Sequence, residues 1–348
     1  MNLDKFKHLN AAIRPKIDIE GQEYLYFGGT AYLGIPQNQD FLSLYMEGLS
    51  RYGINNGTSR NNNVQLGIYD EAEQIAADRF GAEAALISSS GYLAAQLVLQ
   101  NCIGKGQFAY APSTHPALWI DERSRPAGSF KEWSEDIVKQ INESDTPDWV
   151  LISNSMNNLF PEIYDFDFTQ KINPDKKVLV IVDDSHGIGI LNGGLGAYTA
   201  LPEKDNIEWI VVASMAKALG VDAGVILSSK QTIAALKNSN EYLGASPPPA
   251  AAIYAFMKAE TIYRSAYQQL MKNDQLLREL LGNTSKYASV PDFPVFLSED
   301  PQLAEKLLSR KILISSFPYP DKNSLPINRI VLCSWHSPED IKQLSEYL

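Results

Sequence analysis

The stretch VVASMAKALGVDAGVILSS, residues 211–229, places one charged amine between two apolar runs. The flanking runs have the composition of buried strands, and Lys217 lies between them among alanine, leucine and glycine. An unpaired ammonium group is strongly disfavoured in a protein interior. Lys217 therefore has two interpretations: it points into water from a tight turn, as most lysines do, or its surroundings depress its pKa and make the amine a nucleophile.

The composition is that of an ordinary globular protein of more than one lobe. The chain has 348 residues, of which 45% are hydrophobic and 20% are charged, enough for a large core. Its net charge is −11, and the sequence has no Lys/Arg-rich run. Both features argue against nucleic acid and anionic membranes as partners. Cys102 and Cys333 lack metal-ligand spacing, and no signal peptide or membrane-spanning stretch is present. We therefore expect a cytoplasmic protein without a membrane partner.

Short apolar runs alternate with longer helical patterns over the first two thirds of the chain. These runs occupy residues 84–90, 108–112, 149–153, 178–184, 209–214 and 223–229. Buried strands that alternate with helices predict an α/β fold with a largely parallel sheet.

The pattern changes after the segment SPPPAAA, residues 246–252. The next 31 residues, 251–281, have few helix breakers and predict one long connecting helix. Shorter elements follow and predict a smaller α+β lobe. We expect an N-terminal segment over residues 1–35, a large domain over 36–255, and the long helix with the small domain over 256–348.

The run VLVIVDDSHGIG ends in Asp183, Asp184 and His186. Ligands bind beyond the carboxyl ends of strands in open α/β sheets, so a carboxylate at this point is well placed for function. The alternative is a strand-end turn whose carboxylates accept backbone N–H groups. A metal site is a weaker interpretation, because no further ligand cluster is present.

The segment SSSGY, residues 88–92, lies between a predicted strand and a predicted helix. Small residues there allow close backbone approach, and a helix N-terminus offers N–H groups and partial positive charge to a phosphate. The segment is neither a P-loop nor GxGxxG. The alternative is a plain serine N-cap.

Together these parts suit pyridoxal phosphate. The phosphate takes helix N–H donors, the pyridine nitrogen takes a carboxylate, and the aldehyde takes a lysine 34 residues after Asp183.

The sequence resembles the α-oxoamine synthases, the family that includes 8-amino-7-oxononanoate synthase and serine palmitoyltransferase. The similar segments are, in order, YGINNGTSR, DEAEQIAADRFGAEAALISSSGYLAAQ, THPALWID, DDSHGIG and SMAKALG. The resemblance implies an aspartate-aminotransferase-like fold (pyridoxal-phosphate fold type I). Its large domain would contain a mostly parallel seven-stranded sheet, and its C-terminal domain would be smaller and α+β.

The resemblance also implies roles for individual residues. Lys217 would hold the cofactor as a Schiff base, Asp183 would pair with the pyridinium nitrogen, and His186 would hydrogen-bond near the phenolic oxygen. The remaining cofactor contacts would be His115 on the ring face, Ser155 at the ring, and Ser90, Gly91, Tyr92 and Ser214 at the phosphate.

The substrate-facing positions are less similar to the family. Arg329 would clamp the substrate carboxylate, since a guanidinium matches a carboxylate bidentately; the alternative is a surface strand arginine. Ala31 stands where the family has an asparagine that often helps to hold the substrate. No metal is implied.

The implied reaction joins a small amino acid to an acyl thioester carried by coenzyme A or an acyl carrier, in a homodimer. An aminotransferase shares the same cofactor machinery and is the first alternative. A non-catalytic partner subunit is the second, although such subunits usually lack the lysine.

Overall fold

The computed structural model describes residues 6–120, 127–282, 284–318 and 323–348. Its internal contacts divide the chain into two units. The larger unit comprises Gln39–Asn157 and Ile163–Glu260, and the smaller comprises the N-terminal residues through Asn38 together with Asn158–Glu162 and Thr261–Leu348.

Strands and helices are numbered in chain order. The strands are β1 (Lys16–Ile19), β2 (Gln22–Phe27), β3 (Ala84–Ser88), β4 (Gln107–Tyr110), β5 (Asp148–Asn154), β6 (Met156–Asn157), β7 (Glu162–Ile163), β8 (Lys177–Asp183), β9 (Ile207–Ser214), β10 (Gly224–Ser228), β11 (Tyr287–Ala288), β12 (Val295–Ser298), β13 (Ile312–Pro318) and β14 (Pro326–Val331). The helices are α1 (Gln39–Tyr52), α2 (Ile68–Phe80), α3 (Gly91–Cys102), α4 (Phe130–Glu143), α5 (Leu191–Gly194), α6 (Lys230–Lys237), α7 (Asn240–Gly244), α8 (Ala250–Lys258), α9 (Glu260–Leu281), α10 (Leu303–Leu308) and α11 (Pro338–Ser345).

The sheet of the larger unit has the order β3-β10-β9-β8-β5-β4. Neighbouring strands are parallel from β4 to β9, and β10 runs antiparallel to both β9 and β3. Five of the six strands therefore point the same way, as the apolar runs predict. The central strands are buried along most of their length because helices cover both faces of such a sheet.

The expected seventh strand is not found among the described residues, so that detail of the prediction is wrong for this part of the chain. The described residues between Tyr110 and Phe130 contain a short 3-10 helix, Pro116–Leu118, and no strand. Helix α4 begins at Phe130 behind a capping box formed by Ser129 and Glu132. Among the described residues, β4 is the last strand at its edge of the sheet.

The reversal of β10 follows from a short connection. Only residues 215–223 join β9 to β10, and a return over so few residues pairs strands antiparallel, whereas a parallel return needs a crossover of a dozen residues or more. Met215 N–H donates to Ala223 C=O at 2.9 Å and Val221 N–H to Met215 C=O at 3.1 Å, which closes this loop. Lys217 lies within it.

Two charged side chains cover the free edge of β3. Glu73 Oε1 accepts the Ile87 N–H at 2.9 Å, and Arg60 Nη2 donates to the Ile87 C=O at 2.7 Å. Lys237 in turn pairs with Glu73 at 2.5 Å. Unpaired strand edges are avoided in native folds, and these bonds satisfy the outward-facing backbone groups of Ile87 on the edge strand.

The predicted long helix over residues 251–281 is wrong in one respect. The structure has two helices, α8 and α9, separated at Ala259, whose φ and ψ are −92° and 16°. Nothing in the local sequence marks the break, since alanine is the strongest helix former. Ala259 is fully buried, and its conformation follows from packing.

The smaller unit contains a six-stranded sheet of order β1-β2-β13-β14-β12-β11. All neighbours are antiparallel except β2 and β13, which are parallel. The N-terminal strands therefore belong to the same sheet as the C-terminal strands. His336 fixes the turn after β14, since its Nδ1 accepts the Cys333 N–H at 3.0 Å.

Cys102 and Cys333 are both buried free thiols. Across the described ranges, every helix is too short or too polar to cross a membrane.

We expect Gly48→Ala to destabilise the protein. A Cβ at Gly48 in α1 would lie 2.8 Å from the Cα and carbonyl oxygen of Ala251 in α8, so the helices must move apart. Overpacking costs about 1–3 kcal/mol, offset by roughly 1 kcal/mol of helix propensity. Urea unfolding measures the difference in the free energy of unfolding between the variant and the natural protein.

Gly67→Ala is the matched control, because a Cβ there meets nothing within 4 Å. Equal unfolding midpoints for the two variants would contradict the packing argument.

Candidate active site

The carboxyl ends of the parallel strands meet at one edge of the larger sheet. Asn154 at the end of β5 is the register partner of Asp183 at the end of β8. Gly224 at the start of β10 is opposite both Ser214 and Ser88, the last residues of β9 and β3. The structure therefore brings the predicted cofactor residues of several strands to one edge, where ligands bind in this class of sheet.

Helix α3 begins at this edge. Ser90 is its N-cap, and its hydroxyl accepts the Leu93 N–H at 3.1 Å, so the serine-cap interpretation is confirmed for that side chain. The first-turn N–H groups of Gly91 and Tyr92 belong to the positive end of the helix. A Cβ on Gly91 would lie 2.5 Å from Ser214 Cβ, so only glycine lets α3 start this close to β9.

A hydrogen-bonded bridge joins the ends of β8 and β9. Asp183 Oδ1 accepts the Ser185 N–H at 2.9 Å, and the Ser185 hydroxyl accepts the Ser214 N–H at 2.9 Å. The Asp183 C=O also accepts the Ser155 N–H at 2.8 Å. Asp183 is thereby fixed by its backbone and by one carboxylate oxygen, which leaves its other oxygen available.

Lys217 is half-buried in the loop between β9 and β10. Desolvation lowers the pKa of its amine, while the negative charges of Asp183 and Asp184 act in the opposite direction. The net shift is downward, so the neutral amine is favoured relative to an exposed lysine. This outcome agrees with the nucleophile interpretation of the sequence and disagrees with the solvent-facing one.

Asp184 is almost completely buried, with 1% of its surface exposed. Its Oδ2 accepts the Ala197 N–H at 2.8 Å. Burial raises the pKa of this carboxyl to about 7, an effect reduced by the Ser155 hydroxyl, the Ala197 N–H and Lys217 and increased by Asp183. The two adjacent acids therefore have different environments, one half-exposed and one enclosed.

His115 is exposed on a loop that Asn154 holds in place. Asn154 Oδ1 accepts the His115 N–H at 3.1 Å, and its Nδ2 donates to the Ser113 C=O at 2.6 Å. Ser113 has a φ of 60°, a left-handed conformation that disfavours most side chains. His115 Nδ1 caps the following turn by accepting the Ala117 N–H at 3.2 Å.

The other predicted cofactor residues occupy the same edge with different exposure. His186 is half-buried, two residues beyond Asp184, and Ser155 is 2% exposed. Tyr92 directs its ring outward, with 65% exposure, so only its backbone fits the predicted role. Within the described ranges no cluster of three metal-ligating side chains occurs.

Arg329 belongs to the smaller unit and lies on β14, where it is 4% exposed. Burial lowers the pKa of its guanidinium, and the phenol of Tyr32 acts against that shift through charge and a hydrogen bond. Among the described residues, Arg329 Nε and Nη2 have no hydrogen-bond partner. The expected alternative, a surface strand arginine, is therefore wrong: the side chain is buried with two open donors.

The sequence model of the class I and II aminotransferase family matches residues 34–348. This chain belongs to that family. The match spans the whole larger unit and the smaller unit from residue 34 onward, and it includes every predicted site residue from Ser90 to Arg329.

Relatives of this family member include two synthases at low identity. It is 24% identical to the 8-amino-7-oxononanoate synthase of Hahella chejuensis, over 96% of this chain and 88% of the relative. It is 25% identical to that of Lysinibacillus sphaericus, over 97% and 91%. These matches confirm the resemblance that the sequence motifs indicated.

Solved structures confirm the predicted fold class. Sphingomonas wittichii serine palmitoyltransferase superposes with a TM-score of 0.79 at 18% identity, covering 97% of this chain and 90% of that one. Francisella tularensis 8-amino-7-oxononanoate synthase gives 0.72 at 20% identity, covering 93% and 96%. A serine palmitoyltransferase variant from S. paucimobilis, solved with a bound aldimine of pyridoxal phosphate and myriocin, gives a TM-score of 0.80 at 19% identity, covering 97% of this chain and 90% of that one.

Two residues of the site, Asn154 and Ser185, are missing from the sequence predictions as contributors, whereas the strand-end turn in which Asp183 and Asp184 accept backbone N–H groups is found. A polar residue at the end of a buried strand, as in the segment SNS at 153–155, was an available signal for Asn154. The sequence contains no comparable signal for Ser185, because the acceptor role of its hydroxyl depends on the register of β8 with β9.

We expect Asn154→Ala to loosen the His115 loop. The change removes both part-buried loop bonds, and a hydrogen bond of this kind typically contributes about 0.5–1.5 kcal/mol. Hydrogen–deuterium exchange should rise across residues 113–118.

Asn157→Ala serves as the control, because Asn157 is half-buried and reaches the Ser113 hydroxyl at 3.3 Å. If both variants exchange alike, Asn154 does not have the positioning role.

Proposed function

We propose that this protein is a pyridoxal-phosphate-dependent transferase that condenses a small amino acid with an acyl thioester. The observation that carries the proposal is the half-buried Lys217, with its lowered pKa, at the sheet edge that also contains Asp183. The synthases named above supply the reaction class, and the pyridoxal phosphate bound to a solved relative supplies the cofactor.

The residues present fit that cofactor. A lysine with a pKa lowered by burial suits an aldehyde, and an aspartate with one carboxylate oxygen uncommitted suits a protonated ring nitrogen. The glycine at the start of α3 leaves the first-turn N–H groups close to Ser214, an arrangement that suits a phosphate. Pyridoxal phosphate when bound would supply an electron sink for a carbanion at the amino acid Cα.

The chain's own groups would then have separate tasks. Lys217 would attack as a neutral amine and afterwards hold or return a proton at the substrate Cα. Asp183 would keep the ring nitrogen protonated, with Ser185 fixing its orientation. Ser90, Gly91, Tyr92 and Ser214 would bind phosphate, and His115, Ser155 and His186 would contact the ring.

Arg329 is our candidate for binding the substrate carboxylate. Among the described residues, only burial and Tyr32 shift the pKa of Arg329, and no acidic side chain acts on it. A buried guanidinium without an acidic partner is costly. Two open donors on one guanidinium match the two oxygens of a carboxylate.

A homodimer in the cytoplasm completes the proposal. Leu42 and Met46, one turn apart on α1, are 48% and 52% exposed, and Ile54 is 82% exposed. Ile54 follows α1 by two residues, and exposed apolar side chains that lie close together are typical of protein interfaces. Light scattering at working concentration measures the oligomeric state, and a fully active monomer would contradict the homodimer.

Lys217→Ala should abolish covalent attachment of the cofactor. Borohydride reduction followed by peptide mass spectrometry should place a pyridoxyl label on Lys217 of the natural protein and none on the variant. Lys230→Ala is the control, since its side chain is 77% exposed. A label retained at another lysine in the variant would reject the assignment.

Arg329→Lys should weaken amino-acid binding by roughly ten- to a hundred-fold, the equivalent of about 1.5–3 kcal/mol for a charge-assisted hydrogen bond. The measurement is the change in the cofactor absorption spectrum as alanine, glycine or serine is added. Arg310→Lys, a change at an exposed position in the same unit, should leave that affinity unchanged. Equal affinities for both variants would remove Arg329 from the substrate site.

The name of the family, class I and II aminotransferases, supports the aminotransferase alternative. The products of an aminotransferase differ from those of a synthase, so the two activities can be distinguished. The protein is mixed with each small amino acid and a panel of acyl thioesters, and free thiol and carbon dioxide are measured. A parallel set with 2-oxo acids measures amino-group exchange. Thiol release with carbon dioxide supports the synthase, whereas exchange without thiol release would replace it with the aminotransferase.

A further inference from the structure

Asp184 links the end of β8 to the segment that follows His186. Its side-chain Oδ2 accepts the Ala197 N–H at 2.8 Å, and its backbone C=O accepts the N–H groups of Gly187 and Ile188 at 3.0 and 2.9 Å. Its own N–H donates to the Val212 C=O of β9 at 2.8 Å. One residue thereby holds both ends of the segment from 187 to 197.

Two glycines enclose this carboxyl group. A Cβ on Gly187 would lie 2.0 Å from Asp184 Oδ1, and one on Gly196 would lie 2.5 Å from Oδ2. The carboxyl therefore fills the space that side chains at these positions would need. Gly196 also has a φ of 77°, which other residues rarely adopt.

The enclosed carboxyl has few polar neighbours for an ion. Among the described residues, neither Asp184 Oδ1 nor the nearby Ser155 Oγ has a well-aligned hydrogen-bond partner. The ionisable groups that act on Asp184 are Asp183 of β8, which opposes its ionisation, and Lys217 of the β9–β10 loop, which favours it. An isolated carboxylate in such surroundings binds a proton.

We infer that Asp184 is a positioning residue held as a neutral acid, and that its neutral form keeps Lys217 a free amine. Ionised Asp184 would add a second negative charge beside Asp183, and these two charges together oppose loss of the lysine proton. Asp184 Oδ2 accepts a hydrogen bond, so the proton resides on Oδ1 and leaves to solvent on ionisation. The inference rests on the proposed role of Lys217.

The direction of the pH dependence follows from the pKa of Asp184, which is about 7 in the folded protein against an ordinary value of 3.8. Between these values the folded state binds the extra proton, so stability falls as pH rises from about 4 to about 7 and is level above that. Lys217 becomes harder to deprotonate as the pH passes about 7, where Asp184 ionises in the folded protein.

The test uses the cofactor-free protein. Asp184→Asn keeps the shape of the neutral acid and cannot ionise. Labelling with acetic anhydride at a series of pH values, read by peptide mass spectrometry, follows the Lys217 amine. We expect Lys217 to react alike in the two proteins at pH 5, where Asp184 is neutral, and about tenfold faster in the variant at pH 9, where Asp184 of the natural protein is ionised, the effect of one pKa unit. Unfolding measured from pH 4 to 7 should show the natural protein losing stability relative to the variant.

Asp205→Asn, a change of an exposed acid in the same unit, is the control and should match the natural protein in both measurements. If Asp184→Asn also matches the natural protein, the inference is overturned. If that variant does not fold, the natural protein decides: a free energy of unfolding that does not fall between pH 5 and 7 would overturn the inference. Neither measurement uses pyridoxal phosphate, so failure of the cofactor to bind would reject the proposed function without affecting this result.

Discussion

Desolvation of one amine is the constraint on which the rest of the larger unit depends. Lys217 favours its neutral form because the loop between β9 and β10 withdraws it from water. That loop exists because β10 turns back antiparallel after nine residues. The reversal places the amine at the carboxyl edge of the sheet, next to the two aspartates that end β8. A solvent-facing lysine on the same turn would keep its proton and would be a poor nucleophile.

Close approach of backbone segments is the second requirement of this edge. Gly91 lets α3 begin against Ser214, and Gly224 lets β10 begin against Ser90, since a Cβ at Gly224 would lie 2.2 Å from the Ser90 carbonyl oxygen. Hydrogen bonds of Ser185 and Asn154 then fix the positions of the neighbouring strand ends and of the His115 loop. Small residues in the sequence motifs therefore mark where strands, helix and loops converge.

The sequence predicted the elements whose signal is local. The apolar runs of β5, β8, β9 and β10 are long and β-branched, and the spacing from Asp183 to Lys217 indicated the cofactor class. The break at Ala259 was not predictable, because it opposes local helix propensity. The role of Ser185 was not predictable either, since a hydroxyl between two strand ends has meaning only once their register is known. Asp184 was named at the end of a predicted strand, but its enclosure by two glycines, one of them 12 residues away, could be recognised only from the folded structure.

Charge balance distinguishes these groups from ordinary structural ion pairs. In the larger unit two adjacent acids share the influence of one lysine whose own charge is disfavoured by burial. In the smaller unit Arg329 is buried with a phenol as its partner and two donors unused. Structural charges in protein interiors are normally paired and fully hydrogen-bonded, because an unpaired one costs several kcal/mol. A protein that maintains such a cost in both units gains from it only if ligands of the matching charge complete the sites, cationic at Asp183 and anionic at Arg329. A protonated pyridine ring has the charge that suits Asp183, and an amino-acid carboxylate has the charge that suits Arg329, which is the physical reason to prefer an amino-acid-transforming enzyme over a non-catalytic partner subunit.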